Sequence, residues 1–600
     1  MTRTRRNMIN MREQSVWVAS FIFLVAVVVV VLLFFALRFV PMRSAVSPTF
    51  AVILISLIIV CIDVAVCVVT QALLYLTFLR RRSTVIAPTA DATECPDPPL
   101  TAFVVPALLK DEATARRLIA KLESHAKSNL EPRLYLGLLT DFSDASVQRL
   151  PSDDQLLEIA IRGIELLNRH LPDGSEPRFF LLHRNRTWSP AQVTWMGHER
   201  KRGKLNDLND YIATGNLGRF TLAHGAASSI VGASFVITLD EDNELVPGGA
   251  QVLIRHMMNH SHDLMIDRQR RSVAKGHAIL QPFSKLPDDF AASTRFQRML
   301  GYCWSDAVRL ELVYELLFGE GSFIGKGIYS VDAFRAVLGN RFPDDTILAH
   351  DIIEGCFLRS RMVTDVYMTE CPPSGLEEDM TRTHRWNRGD WQSWIFALRR
   401  DVRDELSLLS HLKLVDNARR ALVPGAVLAL IMCALLEDSR GYGLVSFVIV
   451  LRLIYLFAGW LPPSTAELVG QREVFMAQGL AQRSYAELMR AFLYFTVVPS
   501  LAWNTLSAAA KATWRLFVSG KYTLEWKTAS ASADESRHNQ GLLRHVVLLA
   551  PNVCAVTLVG ALGLIFGNIG SLGWLLVFLW SVGPLLSWGL SRTIHDSRWD

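Results

Sequence analysis

Hydrophobic residues fall into three zones along the chain. Val16 to Leu37 and Ala51 to Leu79 are nearly continuous apolar runs, the second broken only by Asp63. From about 80 to 415 apolar and polar residues mix in short blocks. Beyond 420 long apolar runs return, at about 421–437, 443–461, 491–508, 545–566 and 571–590. A helix needs about 20 apolar residues to cross a bilayer, so these runs predict membrane helices on both sides of a water-facing domain. The first run is too long for a signal-peptide core and lacks a small-residue cleavage site, which predicts a retained helix.

Within the middle zone strand-like and helix-like runs alternate. Thr101–Val105, Arg133–Leu139, Arg178–Leu182 and Ser234–Leu239 read as strands, the first ending at Pro106. Asp111–Ser124 and Leu156–Leu171 carry helical spacing. Such alternation predicts βαβ units around a mostly parallel sheet, whose ligands bind beyond the carboxyl ends of the strands.

Charge orients this plan. Arg3, Arg5, Arg6 and Arg12 precede the first run and Arg80, Arg81 and Arg82 follow the second, whereas the loop between holds only Arg38, at its edge, and Arg43. The positive-inside rule places both flanks, and the domain, in the cytoplasm. The net charge of +5 is explained by these flanks and does not argue for nucleic acid. The segment 509–544 carries Lys511, Arg515, Lys521, Lys527, Arg537 and Arg544, so it too belongs inside. This predicts that 491–508 is re-entrant or interfacial, leaving six spans. The expected organisation is a cytoplasmic terminus (1–15), two membrane helices (16–79), a Pro-, Ala- and Asp-rich linker (80–100) and a domain (101–390). Interfacial helices (391–420) and a C-terminal membrane region (421–600) follow. None of the eight cysteines form Cys-x-x-Cys pairs, so neither disulfides nor zinc is expected.

Several motifs carry candidate chemistry. Phe235 to Leu239 runs into Asp240-Glu241-Asp242. Carboxylates at i and i+2 of an extended segment share a side and can face one hard cation. Alone, the motif equally describes an acidic turn. Asp141 follows the second strand and is also compatible with a turn or cap. Lys201-Arg202-Gly203-Lys204-Leu205-Asn206 sets cations around a glycine and can approach a diphosphate. Phe318 to Gly327 holds four glycines but lacks P-loop spacing. His350-Asp351 opens a helix-like run, where Asp351 is either a cap or a general base. Arg382 to Gln392 sets Arg385 and Trp386 just ahead of the membrane. An indole there suits either a sugar face or an interfacial belt.

The order of these motifs resembles family 2-like GT-A glycosyltransferases of the processive polysaccharide-synthase type. The longer segments Glu199–Leu205, Phe318–Tyr329, His350-Asp351, His384–Gln392 and Leu524–Ala529 resemble more closely the glycosyltransferase part of cyclic β-1,2-glucan synthases. Arg382 stands where typical processive synthases have Gln, and His350 where they often have Glu or Thr-Glu. Both changes suit the glucan-synthase subgroup.

The resemblance implies a Rossmann-like GT-A α/β cytoplasmic domain inserted between transmembrane helices. It implies an inverting, UDP-glucose-dependent β-glucan synthase of the bacterial-type inner membrane that exports its product. Asp141, Lys201, Gly203 and Asp240 would bind the nucleotide. Asp242 with Asp240 would hold Mg²⁺ or Mn²⁺, and Asp351 would be the catalytic base. Gly319, Glu320, Gly321, Ser322, His350, Arg382, Arg385 and Trp386 would meet acceptor and diphosphate. Expected partners are UDP-glucose, the growing glucan and the lipid bilayer. Cyclic-glucan synthases carry a further phosphorylase-like domain, whereas this sequence stops at Asp600. A linear glucan, or a precursor closed by a separate cyclising or modifying enzyme, is therefore expected. The alternatives are a non-processive transferase to a lipid or secreted acceptor, and an inactive scaffold or sensor.

Overall fold

The computed structural model describes residues 11–40, 48–81, 97–129, 131–261, 263–287, 289–302, 314–435, 439–458, 480–526, 541–566 and 569–594. Its centre is one mixed sheet. In chain order the strands are β1 (Thr101–Leu109), β2 (Leu134–Phe142), β3 (Phe179–Arg184), β4 (Leu222–Gly225) and β5 (Phe235–Thr238). Then come β6 (Glu244–Leu245), β7 (Ile279–Lys285), β8 (Gly327–Ser330) and β9 (Ser360–Thr369). Their spatial order is β4-β3-β2-β1-β5-β8-β7-β9-β6.

Strands β3, β2, β1 and β5 run parallel, as do β7 and β9. Strand β8 is antiparallel to both of its neighbours. Both faces are covered, which is why the central strands read as unbroken apolar runs. Phe103, Val105, Leu136 and Leu138 pack against Leu118, Leu122, Leu156 and Ile164 of helices Glu112–Asn129 and Asp153–Arg169. Ala102, Val104, Leu139 and Val236 face Leu205, Leu208, Phe334 and Phe357 of the helices on the other side.

The expected strands are present, with one instructive difference. Strand β1 does not end at Pro106 but continues to Leu109. Its pairing with β5 stops at Val104, opposite Thr238, so on that side Pro106 has no neighbour needing its missing N–H.

Among the described residues three helices, Gln14–Phe39, Pro48–Leu76 and Gly570–Ser591, are long and apolar enough to span a membrane. Two bent pairs, Leu408–Arg420 with Val423–Leu435 and Leu542–Leu548 with Ala550–Ile565, raise the count to five, and Tyr442–Tyr455 is a shorter apolar helix. The run 491–508 lies inside one continuous helix, Leu480–Trp514, despite Pro499. A re-entrant loop needs a break that this helix lacks. Ala486, Leu493 and Val497 instead pack with Phe296, Met299, Leu376 and Met380 of the sheet domain, and Asn504 donates to the Met380 carbonyl at 2.9 Å. The same run also packs against the apolar helices, with Val498 in their shared core and Trp580 Nε1 donating to the Phe495 carbonyl at 3.2 Å. Most of the linker, and Lys527 and Arg537 of the later basic segment, lie outside the described residues.

Candidate active site

The site forms where the parallel strands end. Strand β5 stops at Thr238, and Asp240 begins a turn closed by the Asn243 amide on the Asp240 carbonyl, 3.2 Å. Asp240 and Asp242 are thus presented by a turn rather than by the strand itself. Lys201 Nζ donates to Asp240 Oδ1 at 2.6 Å and to the Gly325 carbonyl at 2.7 Å. Lys326 Nζ lies 3.7 Å from Asp240 Oδ2 and 3.4 Å from Glu370 Oε2. Glu370 also pairs with Arg382, whose guanidinium lies 4.5 Å from the Trp386 ring centre.

Burial would raise the Asp240 carboxyl, but Lys201, Lys326 and Arg385 outweigh it and hold the group at about 2. Asp242 differs. No hydrogen bond or ion pair reaches it among the described residues. The enclosing protein pushes its carboxyl above the ordinary value, Asp240 and Glu370 add to this, and Lys326 and Arg382 oppose it. A carboxylate crowded by like charge and lacking a partner is a donor set suited to a hard cation.

Asp351 sits at the first position of helix Asp351–Leu358. The Gly-rich loop makes room for it: Gly325 has φ +81°, and a Cβ there would lie 2.5 Å from Asp351 Oδ1. Lys201 therefore ties Asp240 to the backbone that cradles Asp351. Arg385 closes the arrangement. Burial and Arg382 lower its pKa, while Asp240, Asp242 and Asp351 all act on it in the opposite sense. The three carboxylates assigned to metal and base chemistry from sequence thus all act electrostatically on one guanidinium.

His350 is buried, with Nδ1 2.9 Å from Glu354 Oε2 and 3.5 Å from Asp351 Oδ1. Burial would lower it, but these carboxylates prevail and raise its pKa. Its contact with Glu354 lacks hydrogen-bond geometry, so Nδ1 and Asp351 Oδ1 remain without hydrogen-bond partners. His350, Asp351 and Glu354 bring ligand atoms within 4.8 Å of one another, as do His198, Glu199 and Asp344.

Other expected residues are placed differently. Asp141, opposite Arg184 in the β2–β3 register, accepts from Arg184 Nε at 2.8 Å and Nη2 at 2.9 Å, and lies 3.0 Å from Lys204 Nζ. Burial opposes its charge, but these cations hold it at about 2. It lies beneath the open site, fully paired. Gly203 permits a close turn, since a Cβ there would meet the His198 carbonyl at 2.2 Å. Glu320 is 1% exposed, with Lys413 Nζ at 2.9 Å and Arg359 Nε at 3.2 Å, so its carboxylate is locked in ion pairs rather than open to acceptor. Gly319 and Gly321 lie in the same backbone, hydrogen-bonded through their amides to the Glu315 and Ser360 carbonyls. Ser322 is half-buried between them and Phe323. Trp386 is 47% exposed.

Sequence reasoning missed Lys326, Glu370, Arg184 and Lys204. Lys326 and Lys204 belong to motifs already singled out, and charge alone could have flagged them. Glu370 and Arg184 lie at strand ends without any motif.

A late segment also reaches the site. The Thr523 carbonyl accepts from Gln392 Nε2 at 3.0 Å, the Leu524 carbonyl from Arg200 Nε at 2.8 Å, and the Leu524 amide donates to Gln192 Oε1 at 3.0 Å. The Arg200 and Arg385 guanidiniums each lie 5.6 Å from the Trp526 ring centre.

No protein-family model matches the chain. Among solved structures it has likeness to S. aureus TarS, at 10% identity over 63% of this chain and 55% of that one, TM-score 0.28. The 1–349 form of TarS in complex with UDP aligns at 11% identity over 63% of this chain and 90% of that one, also at TM-score 0.28. At that score neither likeness bears on fold or ligand. The cyclic β-(1,2)-glucan synthase NdvB of Rhizobium meliloti (strain 1021) is 30% identical over 519 residues, 83% of this chain and 18% of that protein. The chain therefore spans less than a fifth of that relative's length. The resemblance expected from the motifs is borne out: over most of its own length, the chain is similar to a part of a cyclic β-(1,2)-glucan synthase.

Proposed function

We propose that the chain is a membrane-embedded, inverting glucosyltransferase. It polymerises glucose from UDP-glucose into a β-glucan, with β-1,2 the favoured linkage, and passes the product across the membrane. The observation that carries this reading is Lys201, whose Nζ joins Asp240 at 2.6 Å to the Gly325 carbonyl at 2.7 Å, the glycine that lies against Asp351, at the carboxyl edge of the sheet. The likeness to a glucan synthase supports it.

Each residue has a role. Lys201 and Lys326 exchange their carboxylate partners for the donor's diphosphate. Asp141 holds Arg184 and Lys204 under the nucleotide. Asp242 with Asp240 would hold Mg²⁺ or Mn²⁺, which supplies neutralisation of the departing diphosphate. Asp351 takes the proton of the acceptor hydroxyl as that oxygen attacks the anomeric carbon, and the single displacement inverts an α-linked donor to a β-linked product. Arg385 stabilises the leaving group. Trp386 offers its exposed ring to the acceptor sugar. The helices beside Trp386 receive the chain from the cytoplasmic side.

The test is incubation of the purified protein in lipid nanodiscs with UDP-glucose and Mg²⁺. UDP release with a β-linked glucan, identified by linkage analysis, is expected. Absence of UDP release from any sugar nucleotide would sink the reading. Release with a product of one added sugar, seen by mass spectrometry, would replace polymerisation by single transfer.

A further inference from the structure

The Gly-rich loop does more than leave space for Asp351. It runs antiparallel to the helix Asp351–Leu358 and touches it at three levels. At the helix's C-terminal end, Glu320 accepts from Arg359 Nε at 3.2 Å. One turn nearer the N-terminus, Phe323 packs so closely that a Cβ on Gly355 would lie 2.6 Å from Phe323 Cβ. One turn further, Gly325 lies against the Asp351 carboxylate. Residues 351 and 355 share one helix face, since positions four apart stack above each other, and Arg359 is the left-handed residue that ends the helix. The loop is therefore zipped to the face that carries Asp351.

The start of this zip is held from the membrane side. Lys413, 1% exposed, belongs to helix Leu408–Arg420, which bends by 45° into the apolar helix Val423–Leu435. Its Nζ donates to Glu320 Oε1 at 2.9 Å and to the Gly321 carbonyl at 2.6 Å. The same carbonyl accepts from Ser360 Oγ at 2.7 Å. One residue before Gly319, the Phe318 carbonyl accepts from Gln14 Nε2 of the first membrane helix at 2.9 Å. The Phe318 ring meets Phe21 of that helix edge-on at 5.8 Å. Two membrane elements thus grip residues 318–321, and the loop transmits their position along the helix to Asp351.

We propose that Glu320 and Lys413 are positioning residues: their buried ion pair sets the axial register of the Gly-rich loop against helix Asp351–Leu358, and so places Asp351 relative to the membrane helices. The geometric part stands on the contacts themselves. The catalytic part rests on the proposed glucosyltransferase reading. Glu320 then acts through Gly325 and Asp351 and does not touch acceptor.

The test uses the full chain in nanodiscs with Glu320→Gln, Lys413→Met and the double variant. Glu320→Gln deprives both Lys413 and Arg359 of their carboxylate, Lys413→Met leaves Glu320 paired with Arg359 alone, and the double removes the buried ammonium that Glu320→Gln strands, so it remains usable if that single variant fails to fold. Hydrogen–deuterium exchange reads the geometry whatever the substrate. Faster exchange is expected in residues 319–327 and also in 351–355. Loss of protection limited to 319–322 would overturn the proposal.

Where the wild type releases UDP from UDP-glucose, kcat is expected to fall about ten- to hundredfold, as for a misplaced reacting group. KM for UDP-glucose should stay within about twofold, which marks a loss outside donor binding. The double variant should be no worse than the poorer single. A raised KM with unchanged kcat, or losses that multiply in the double, would overturn it. A wild type that releases no UDP refutes the glucosyltransferase reading, and the exchange result then decides the inference alone.

Discussion

Asp242 and Asp351 are both carboxylates at the ends of elements, and their surroundings give them different chemistry. Asp242 is crowded by Asp240 and Glu370 and waits for positive charge. Asp351 is cradled by a glycine and stands near the buried His350. As proton acceptor, Asp351 should be indispensable to turnover but not to donor binding. Asp351→Asn is expected to lower kcat by roughly 10²–10⁴-fold, the usual worth of a positioned base, with UDP binding retained by calorimetry. Asp379, three residues before Arg382, gives a pH signature. Its enclosure, helped by Glu378 and opposed by Arg382 and Arg490, raises it to about 6. The folded protein then binds this proton more tightly than the unfolded chain does. Stability should therefore fall as pH rises from about 4 to about 6, and flatten above that. Asp379→Asn should remove its share of that fall, leaving the part due to Asp390, which burial likewise raises to about 6, as read by thermal unfolding in detergent across this range.

At the scale of elements, the loop at 319–327 decides most. In the sequence its four glycines were legible as a feature, but not their separate reasons. Gly325 needs both a positive φ and an absent Cβ beside Asp351, whereas Gly327 already belongs to β8. Gly325→Ala should cost about 1–2 kcal/mol from its backbone conformation alone and displace Asp351. A lower unfolding midpoint and a fall in kcat measured on the same preparation would show both. Strands β1, β2, β3 and β5 were readable because they are buried on both faces and apolar over most of their length. Strands β7 and β9 were not, because Gln281 and Lys285 in the one and Asp365 in the other interrupt the pattern, and β8 is only four residues long. Glu370 was hidden for the same reason: its meaning comes from Lys326 and Arg382, which only the fold brings to it. The segment Leu524–Ala529 was legible as a motif, but the dock of Thr523 and Leu524 on Gln192, Arg200 and Gln392 was not. Gln192 donates to Thr523 Oγ1 at 2.8 Å and accepts from the Leu524 amide at 3.0 Å. Gln192→Ala should release this segment, seen as faster proteolysis between 515 and 526 with the sheet domain left intact.

For the whole molecule, contacts between the sheet domain and the membrane helices decide topology more firmly than charge does. Gln14, at the start of the first apolar helix, donates to Phe318 of the domain at 2.9 Å. Arg544 Nε pairs with Glu377 Oε1 at 3.0 Å, and the Ile594 amide donates to the Ser293 carbonyl at 3.0 Å. The first and last described membrane elements therefore begin and end on the domain's side. As spans, helices Ala550–Phe566 and Gly570–Ser591 would go out and return, as would Met11–Ala36 and Pro48–Arg81. The helix entering at Leu408 leaves the domain's side, and Ser439–Ala458 is positioned to return. Leu480–Trp514 contacts the domain at Ala486, Asn504 and, through the segment after it, Thr523, while its middle packs on the apolar helices through Val498 and Ser500, and the interfacial reading leaves it on the domain's side. The sum is an even number of crossings. Reporters inserted before residue 14, at 530 and after 594 should therefore all report the compartment of the sheet domain, and one at 437 the opposite compartment. A reporter at 530 on the far side would make Leu480–Trp514 a seventh span and would pull Trp526 away from Arg385, undoing the site as well as the topology.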